Sequence, residues 1–187
     1  MRIHHIARIT LVVNDLDSAV TENGDSIERA QVTRLIIPET RAIGLGVPAI
    51  AGARAALVQY GEAGPEIELI EQPEAKAIAQ PLGWAGFERT ENSLSVTINC
   101  VDGALSAAFY LGLGANEVRQ LEAFTRVIQL DNSSLRFESG YDYASAMDLA
   151  HLRVGILSVR LARIGSRGQA GPSRVLRGPD AELIELV

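Results

Sequence analysis

Cysteine, positive charge and long apolar runs are all in short supply in this chain of 187 residues. Its one cysteine, Cys100, allows no internal disulfide, so a reducing, cytoplasmic setting is expected. No apolar stretch approaches the ~20 residues that a bilayer-spanning helix needs. The start, MRIHHIARIT, also lacks the apolar run of a signal peptide, so no membrane partner is expected. Lys and Arg number 17 against 23 Asp and Glu, for a net charge of −6. That balance argues against a nucleic-acid partner, because neutralising phosphates needs a positive surface. Several motifs are missing too: G-x-S-x-G, a phosphate-binding glycine loop and C-x-x-C. The glycines of Gly44-Leu45-Gly46 do not follow a strand and open a helix, so they do not read as a nucleotide site.

What is present is ordinary in bulk. The chain is 47% apolar and 21% charged, enough for one large domain or two small modules sharing a core. The informative feature is a repeat. Ile9 to Val20 reads ITLVVNDLDSAV and Leu94 to Leu105 reads LSVTINCVDGAL, and the two align without a gap. Each is an apolar/polar alternation, hence a strand with one buried face, followed by an Asp suited to cap a helix. Ile9, Leu11 and Val13, like Leu94, Val96 and Ile98, are expected to pack under a helix. Arg8, Thr10 and Val12, like Ser93, Ser95 and Thr97, then face the other way. A sheet face this polar suits a wet, ligand-holding cavity, and an ordinary solvent face is the alternative.

Along the chain, residues 1–72 read as a first module, 73–92 as a linker and 93–187 as a second module with extra C-terminal strands. His4 and His5 are adjacent in the opening strand, so at most one is expected to reach a cavity. A short or broken helix follows from Leu16, then a strand at Val32 to Ile37. Pro38 to Ala53, rich in Gly, Ala and Pro, is either a lid over a cavity or a plain surface loop, with a helical turn at Glu39 to Leu45. Arg54 to Tyr60 and Glu66 to Glu71 form an expected antiparallel pair. In the second module the helix ends in stopping glycines at Gly112 and Gly114. Strands follow through Glu117 to Leu130, at Leu135 to Glu138 and at Val154 to Leu161. The chain closes on a hairpin turning at Gly178-Pro179-Asp180. Its last strand echoes an earlier one, since Ile67-Glu68-Leu69-Ile70 recurs as Ile184-Glu185-Leu186-Val187. Each module thereby ends with a carboxylate set among aliphatic residues.

The doubled strand–helix start, the D-L-D-x-A turn, the A-F-Y-x-x-L-G helix end and the closing G-P-D-x-x-L-I-E-L-V strand together resemble the vicinal oxygen chelate superfamily. This is the group of glyoxalases, bleomycin-resistance proteins and extradiol dioxygenases. The resemblance implies an α+β fold of paired βαβββ modules, forming an open, cupped mixed sheet with helices outside, in a homodimer. It also implies a divalent metal held by a His on the first strand and a Glu on the last strand of each module. The Glu positions are met by Glu68 and Glu185. The His positions fall on Arg8 and Ser93, neither a good ligand, because Arg does not give up its proton. No cofactor is therefore expected. A metal site, if present, would draw on His5, Glu68 and Glu185. If the second module instead closes at Leu135 to Glu138, Arg136 takes the Glu position.

Chemistry survives without a metal. Arg8 and Glu68, from the first and last strands of one module, line one cup. The guanidinium would stabilise a carboxylate or enolate oxygen, and a partly desolvated Glu68 would move a proton beside a carbonyl, with Glu185 assisting. Thr10, Ser93, Ser95, Thr97, Tyr110, Tyr141, Tyr143 and His151 are the candidate substrate-binding residues. The expected activity is that of a lyase or isomerase acting on a carbonyl-containing or aromatic small molecule. The alternatives are a metal-free protein that sequesters a ligand and a metal-dependent glyoxalase or dioxygenase.

Overall fold

A computed structural model describes residues 2–24, 30–61, 65–72, 84–89, 94–116, 118–122, 124–139, 154–164 and 174–187. The first half runs β1 (Arg2–Val13), α1 (Leu16–Gly24), β2 (Ala30–Ile36), α2 (Glu39–Gly44), β3 (Arg54–Tyr60) and β4 (Glu66–Glu71). The second runs β5 (Trp84–Arg89), β6 (Leu94–Cys100), α3 (Gly103–Gly112), β7 (Val118–Glu122), β8 (Thr125–Gln129), β9 (Ser133–Ser139), β10 (Val154–Ile164), β11 (Arg174–Arg177) and β12 (Leu183–Leu186). The fold is α+β, built on two open mixed sheets.

The alternation read from the repeat holds in β6, where Leu94, Val96, Ile98 and Cys100 are buried and Ser95, Thr97 and Asn99 are half-buried. Asp102 caps α3, accepting from the backbone N–H of Ala104 and Leu105, which satisfies two of the helix's free donors. The first copy differs in detail. Asp15 accepts from Ser18 N–H at 3.1 Å, while Asp17 lies in the first turn of α1 and pairs with Arg34 and Arg54. The helix thus starts two residues earlier relative to its strand than in the second copy.

The first sheet has seven strands in the order β11-β12-β10-β1-β4-β3-β2, and the second has five in the order β5-β6-β9-β8-β7. β1 runs parallel to β4 and β6 parallel to β9, as expected where a crossover carrying a helix separates paired strands. The expected antiparallel pairing of Arg54–Tyr60 with Glu66–Glu71 is present, as is the C-terminal hairpin of β11 and β12. That hairpin and β10 lie in the seven-stranded sheet, where β10 pairs antiparallel with β1.

One apolar cluster draws on both sheets, including Ile6, Ile9 and Leu11 of β1, Val96 and Ile98 of β6, Phe137 of β9, and Val159 and Leu161 of β10. A second cluster joins Val12, Ile70, Leu157 and Leu183 to Ile37, Ala42, Leu45 and Ile50. The Gly-, Ala- and Pro-rich stretch between β2 and β3 is therefore a packed cover. It rests on the sheet face that carries Val12, the face opposite to Ile9 and Leu11. Gly46 and Gly52 adopt φ of +70° and +79°, turns that residues with a Cβ rarely make.

Candidate functional site

The antiparallel register of β1 and β10 sets Arg8 opposite Arg160 and Thr10 opposite Ser158. Their parallel partners add the acidic residues, with Thr10 beside Glu68 and Arg160 beside Glu185. Exchanging β1 with β10 and β4 with β12 swaps Glu68 with Glu185 and Thr10 with Arg160. The polar face of the first sheet thus carries a local twofold arrangement with a carboxylate on each side. Glu68 and Glu185 are each only 3% exposed.

Arg41, from α2 in the packed cover, lies between them. Its Nη2 donates to Glu68 Oε2 at 2.6 Å and to Glu185 Oε1 at 3.0 Å, and its Nη1 donates to Glu185 Oε2. Thr10 Oγ1 donates to Glu68 Oε2 at 2.8 Å, and Ser158 Oγ donates to Glu185 Oε1 at 2.7 Å. Arg160 Nη2 adds a bond to Glu185 Oε2 at 2.9 Å. Arg8 and Glu68 do share the face, but Arg8 is committed mainly to Glu66, through Nε at 2.8 Å and Nη2 at 2.5 Å. Its Nη1 stands 3.6 Å from Glu68 Oε1. Buried carboxylates demand partners of this kind, since an unpaired charge in the interior is costly.

The electrostatics follow. Burial pushes the Glu185 carboxyl up, but hydrogen bonds and charge from Arg41, then Arg160, override it and hold the group at about 2. Burial likewise opposes the charge on Arg41, and its bonds to Glu185 and Glu68 outweigh that and raise its pKa. Glu185 is therefore ionised at neutral pH and is no proton store there.

The remaining candidates disperse. Ser95 lies on β6 in the second sheet, where its hydroxyl accepts from Ser134 at 2.9 Å, and Thr97 lies beside Arg136. In that register Ser134, not Arg136, stands where Glu68 stands in the first sheet. Tyr110 is wholly buried in the core, and its hydroxyl donates to Glu182 Oε1 at 2.9 Å. Burial, then the charge of Glu182, raises the Tyr110 pKa well above its ordinary value. His5 meets His4 with Nδ1 atoms 3.0 Å apart, and burial, then His4, lowers its pKa against the pull of Asp131. Ser93, Tyr141, Tyr143 and His151 lie outside the described residues.

The donor set around Glu68 and Glu185 does not suit a divalent metal. Beside the two carboxylates stand Arg8, Thr10, Ser158 and Arg160, and Arg41 already spans both acids. Among the described residues no group of three or more His, Cys, Asp or Glu is placed to hold a metal ion, so His5 does not join Glu68 and Glu185 in one. Sequence reasoning missed Arg41, Glu66, Ser158 and Arg160. Two of them had a signal, because Ile156 to Leu161 repeats the spacing of Ile6 to Leu11, which puts Ser158 and Arg160 level with Arg8 and Thr10. Arg41 had none.

No family model matches the sequence, and no curated protein matches it. Eight solved chains do. One is the crystal structure of a "putative dioxygenase" from Bacillus subtilis subsp. subtilis str. 168, at 11% identity and a TM-score of 0.35. The match covers 100% of this chain and 62% of that one. Among the described residues no helix is long and apolar enough to cross a membrane.

Proposed function

We propose that this chain binds a small organic molecule on the polar face of β1, β4, β10 and β12 without a metal ion. In this reading Arg41 stands between Glu68 and Glu185 where the vicinal oxygen chelate proteins hold a cation. One observation carries it: a guanidinium from the cover over that face bonds both carboxylates. The arrangement sums to no net charge, with Arg8, Arg41 and Arg160 set against Glu66, Glu68 and Glu185. It therefore offers hydrogen-bonding atoms without a field that selects either sign, which suits a neutral carbonyl-bearing or aromatic ligand. Arg41 Nε is buried with no partner among the described residues, a donor left over for a carbonyl oxygen.

The same reading takes β1-α1-β2-β3-β4 and β6-α3-β7-β8-β9 as two copies of one βαβββ module. β10, β11 and β12 are then a third, partial copy, represented among the described residues by three strands. The cup forms between the first copy and this third one.

A second reading, a lyase or isomerase with Glu68 as base, is favoured by a different detail. Thr10 and Arg41 both bond Oε2, and among the described residues Oε1 faces only Arg8, at 3.6 Å. A panel of neutral and anionic carbonyl and aromatic compounds, followed by the upward shift of the thermal midpoint, tests both. Neutral compounds are expected to stabilise the protein with or without added chelator, and Glu68→Gln is expected to keep most of that binding. Stabilisation that vanishes with chelator would sink the metal-free reading. Turnover of a bound compound that Glu68→Gln abolishes, with affinity kept, would establish the enzyme.

A further inference from the structure

α3 carries no charge. From Gly103 to Gly112 it reads GALSAAFYLG, and its two polar side chains, Ser106 and Tyr110, are both buried. What it shows to solvent is Ala104, Leu105, Ala108, Leu111 and Gly112, with Leu105 63% and Leu111 40% exposed. Val101, just ahead of the capping Asp102, is 95% exposed. α1, which follows β1 as α3 follows β6, is built differently on the outside. Its exposed residues are Asp17, Ser18, Thr21 and Glu22, the polar face expected of a helix half in water. A helix that is apolar all round is ordinarily buried.

The exposed face of α3 also has a particular order. A twofold axis passing beside one residue of a helix pairs the position three before it with the position three after it, on a copy running antiparallel. The positions four before and four after are paired in the same way. About Ala108, the positions three away are Leu105 and Leu111, and the positions four away are Ala104 and Gly112. Leucine of one copy thus meets leucine of the other, and small residues meet small ones, which lets the helix axes approach to about 8 Å, the near end of the usual range. Charge favours the same arrangement. Parallel copies would set two Asp102 carboxylates side by side. Antiparallel copies hold them about 18 Å apart along the axis, well past the screening length of about 8 Å, and oppose the two helix dipoles. The helix face itself offers nothing to a partner that recognises charge.

We propose that a second copy of this chain covers this face, α3 packing antiparallel on α3 about a twofold axis at Ala108. A contact of this kind needs a single self-complementary patch. One short helix pair falls below the ~1,200 Å² of a standard interface, so the dimer is weak and forms with rising concentration. Each chain has a net charge of −6, so the copies repel at a distance and salt strengthens their association. The proposal does not rest on the function proposed for the polar face of the first sheet.

Sedimentation velocity of the full chain, from the micromolar to the near-millimolar range and at low and high sodium chloride, reads the association. A monomer–dimer equilibrium that tightens with salt is expected. Leu105→Glu is expected to weaken it about ten-fold or more, because an unpaired carboxylate is costly to bury. Thr21→Glu, on α1, should leave it unchanged. Ala108→Cys is then oxidised: an axis at this residue brings its two copies within disulfide reach, so a covalent dimer is expected. The wild type, whose Cys100 is buried, and Thr21→Cys should give none. A chain that stays monomeric throughout would overturn the proposal and leave the face to another protein. So would a dimer that Leu105→Glu, folded by circular dichroism, leaves intact, or a dimer in which Ala108→Cys does not cross-link. If Leu105→Glu does not fold, Ala104→Glu replaces it, and the Ala108→Cys cross-link decides on its own.

Discussion

At Glu185 burial opposes ionisation, and the two arginines beside it reverse the outcome. Its carboxyl sits at about 2 folded, against 4.5 unperturbed, so the group favours the folded state above pH 4.5. That contribution is lost as pH falls through about 2. The difference amounts to about 3 kcal/mol. Urea unfolding of the wild type between pH 5 and pH 2 should show this loss, and Glu185→Gln should lack that part of the slope. Arg41 is the other sensitive residue, since its side chain is only 18% exposed. Arg41→Met leaves two buried carboxylates short of a partner and is expected to cost about 3–5 kcal/mol at pH 7. The deficit should shrink in acid, where the carboxylates can take up protons. Arg41→Lys should recover only part of it, because an ammonium cannot reach two acids with a planar fork. Equal stability of Arg41→Met and wild type by chemical denaturation would show that the network is not what holds the cover down.

Among the elements, the β11–β12 turn depends on one close approach. Glu182 is buried, and a Cβ placed on Gly178 would run into its carboxylate. The same carboxylate accepts from Tyr110 Oη and from Asp180 N–H, while Asp180 accepts from Ser106 Oγ and Val101 N–H. The tip of a hairpin from the first sheet thus docks on α3 and on Val101, just past β6, beside the second sheet. Gly178→Ala is expected to destabilise by about 1–3 kcal/mol, as overpacking does. Added to Glu182→Ala it should cost much less, a coupling read from a double-mutant cycle. Additive losses would mean that the glycine serves its own backbone and not the carboxylate. Burial, against its hydrogen bonds, raises the Glu182 pKa. Its neutral form therefore favours the folded state at low pH, and that contribution is lost as pH rises through the folded value. This trend is opposite in sign to that of Glu185.

Over the whole molecule, the two sheets share one apolar cluster and are also tied by backbone. Ile3 N–H donates to the Gly114 carbonyl, and Ile6 N–H donates to Ser133 Oγ at 2.9 Å. A common core makes separate unfolding of either sheet expose apolar surface on both, so a single cooperative transition is expected. Far-ultraviolet circular dichroism and near-ultraviolet circular dichroism of the tyrosines should therefore change at the same denaturant midpoint. Two separated midpoints would mean that the sheets are independent folding units.

The sequence by itself determined the strands, because alternation and turn residues act over a few neighbours. The strands Leu94–Cys100, Arg54–Tyr60 and Glu66–Glu71 and the turn at Gly178 were all legible, and so was the likeness of the Glu68 and Glu185 strands, but not that β12 joins the first sheet while Ser134 takes the repeat position in the second. Arg8 was legible as a member of the polar face, but not its preference for Glu66, which register decides. Arg41 was not legible at all. Nothing in E-T-R-A-I-G marks an arginine that reaches two acids, 27 and 144 residues away. Local pattern fixes which residues form a strand and which way each one points. Only the packed sheet, with its cover and its long-range pairings, decides which charges meet.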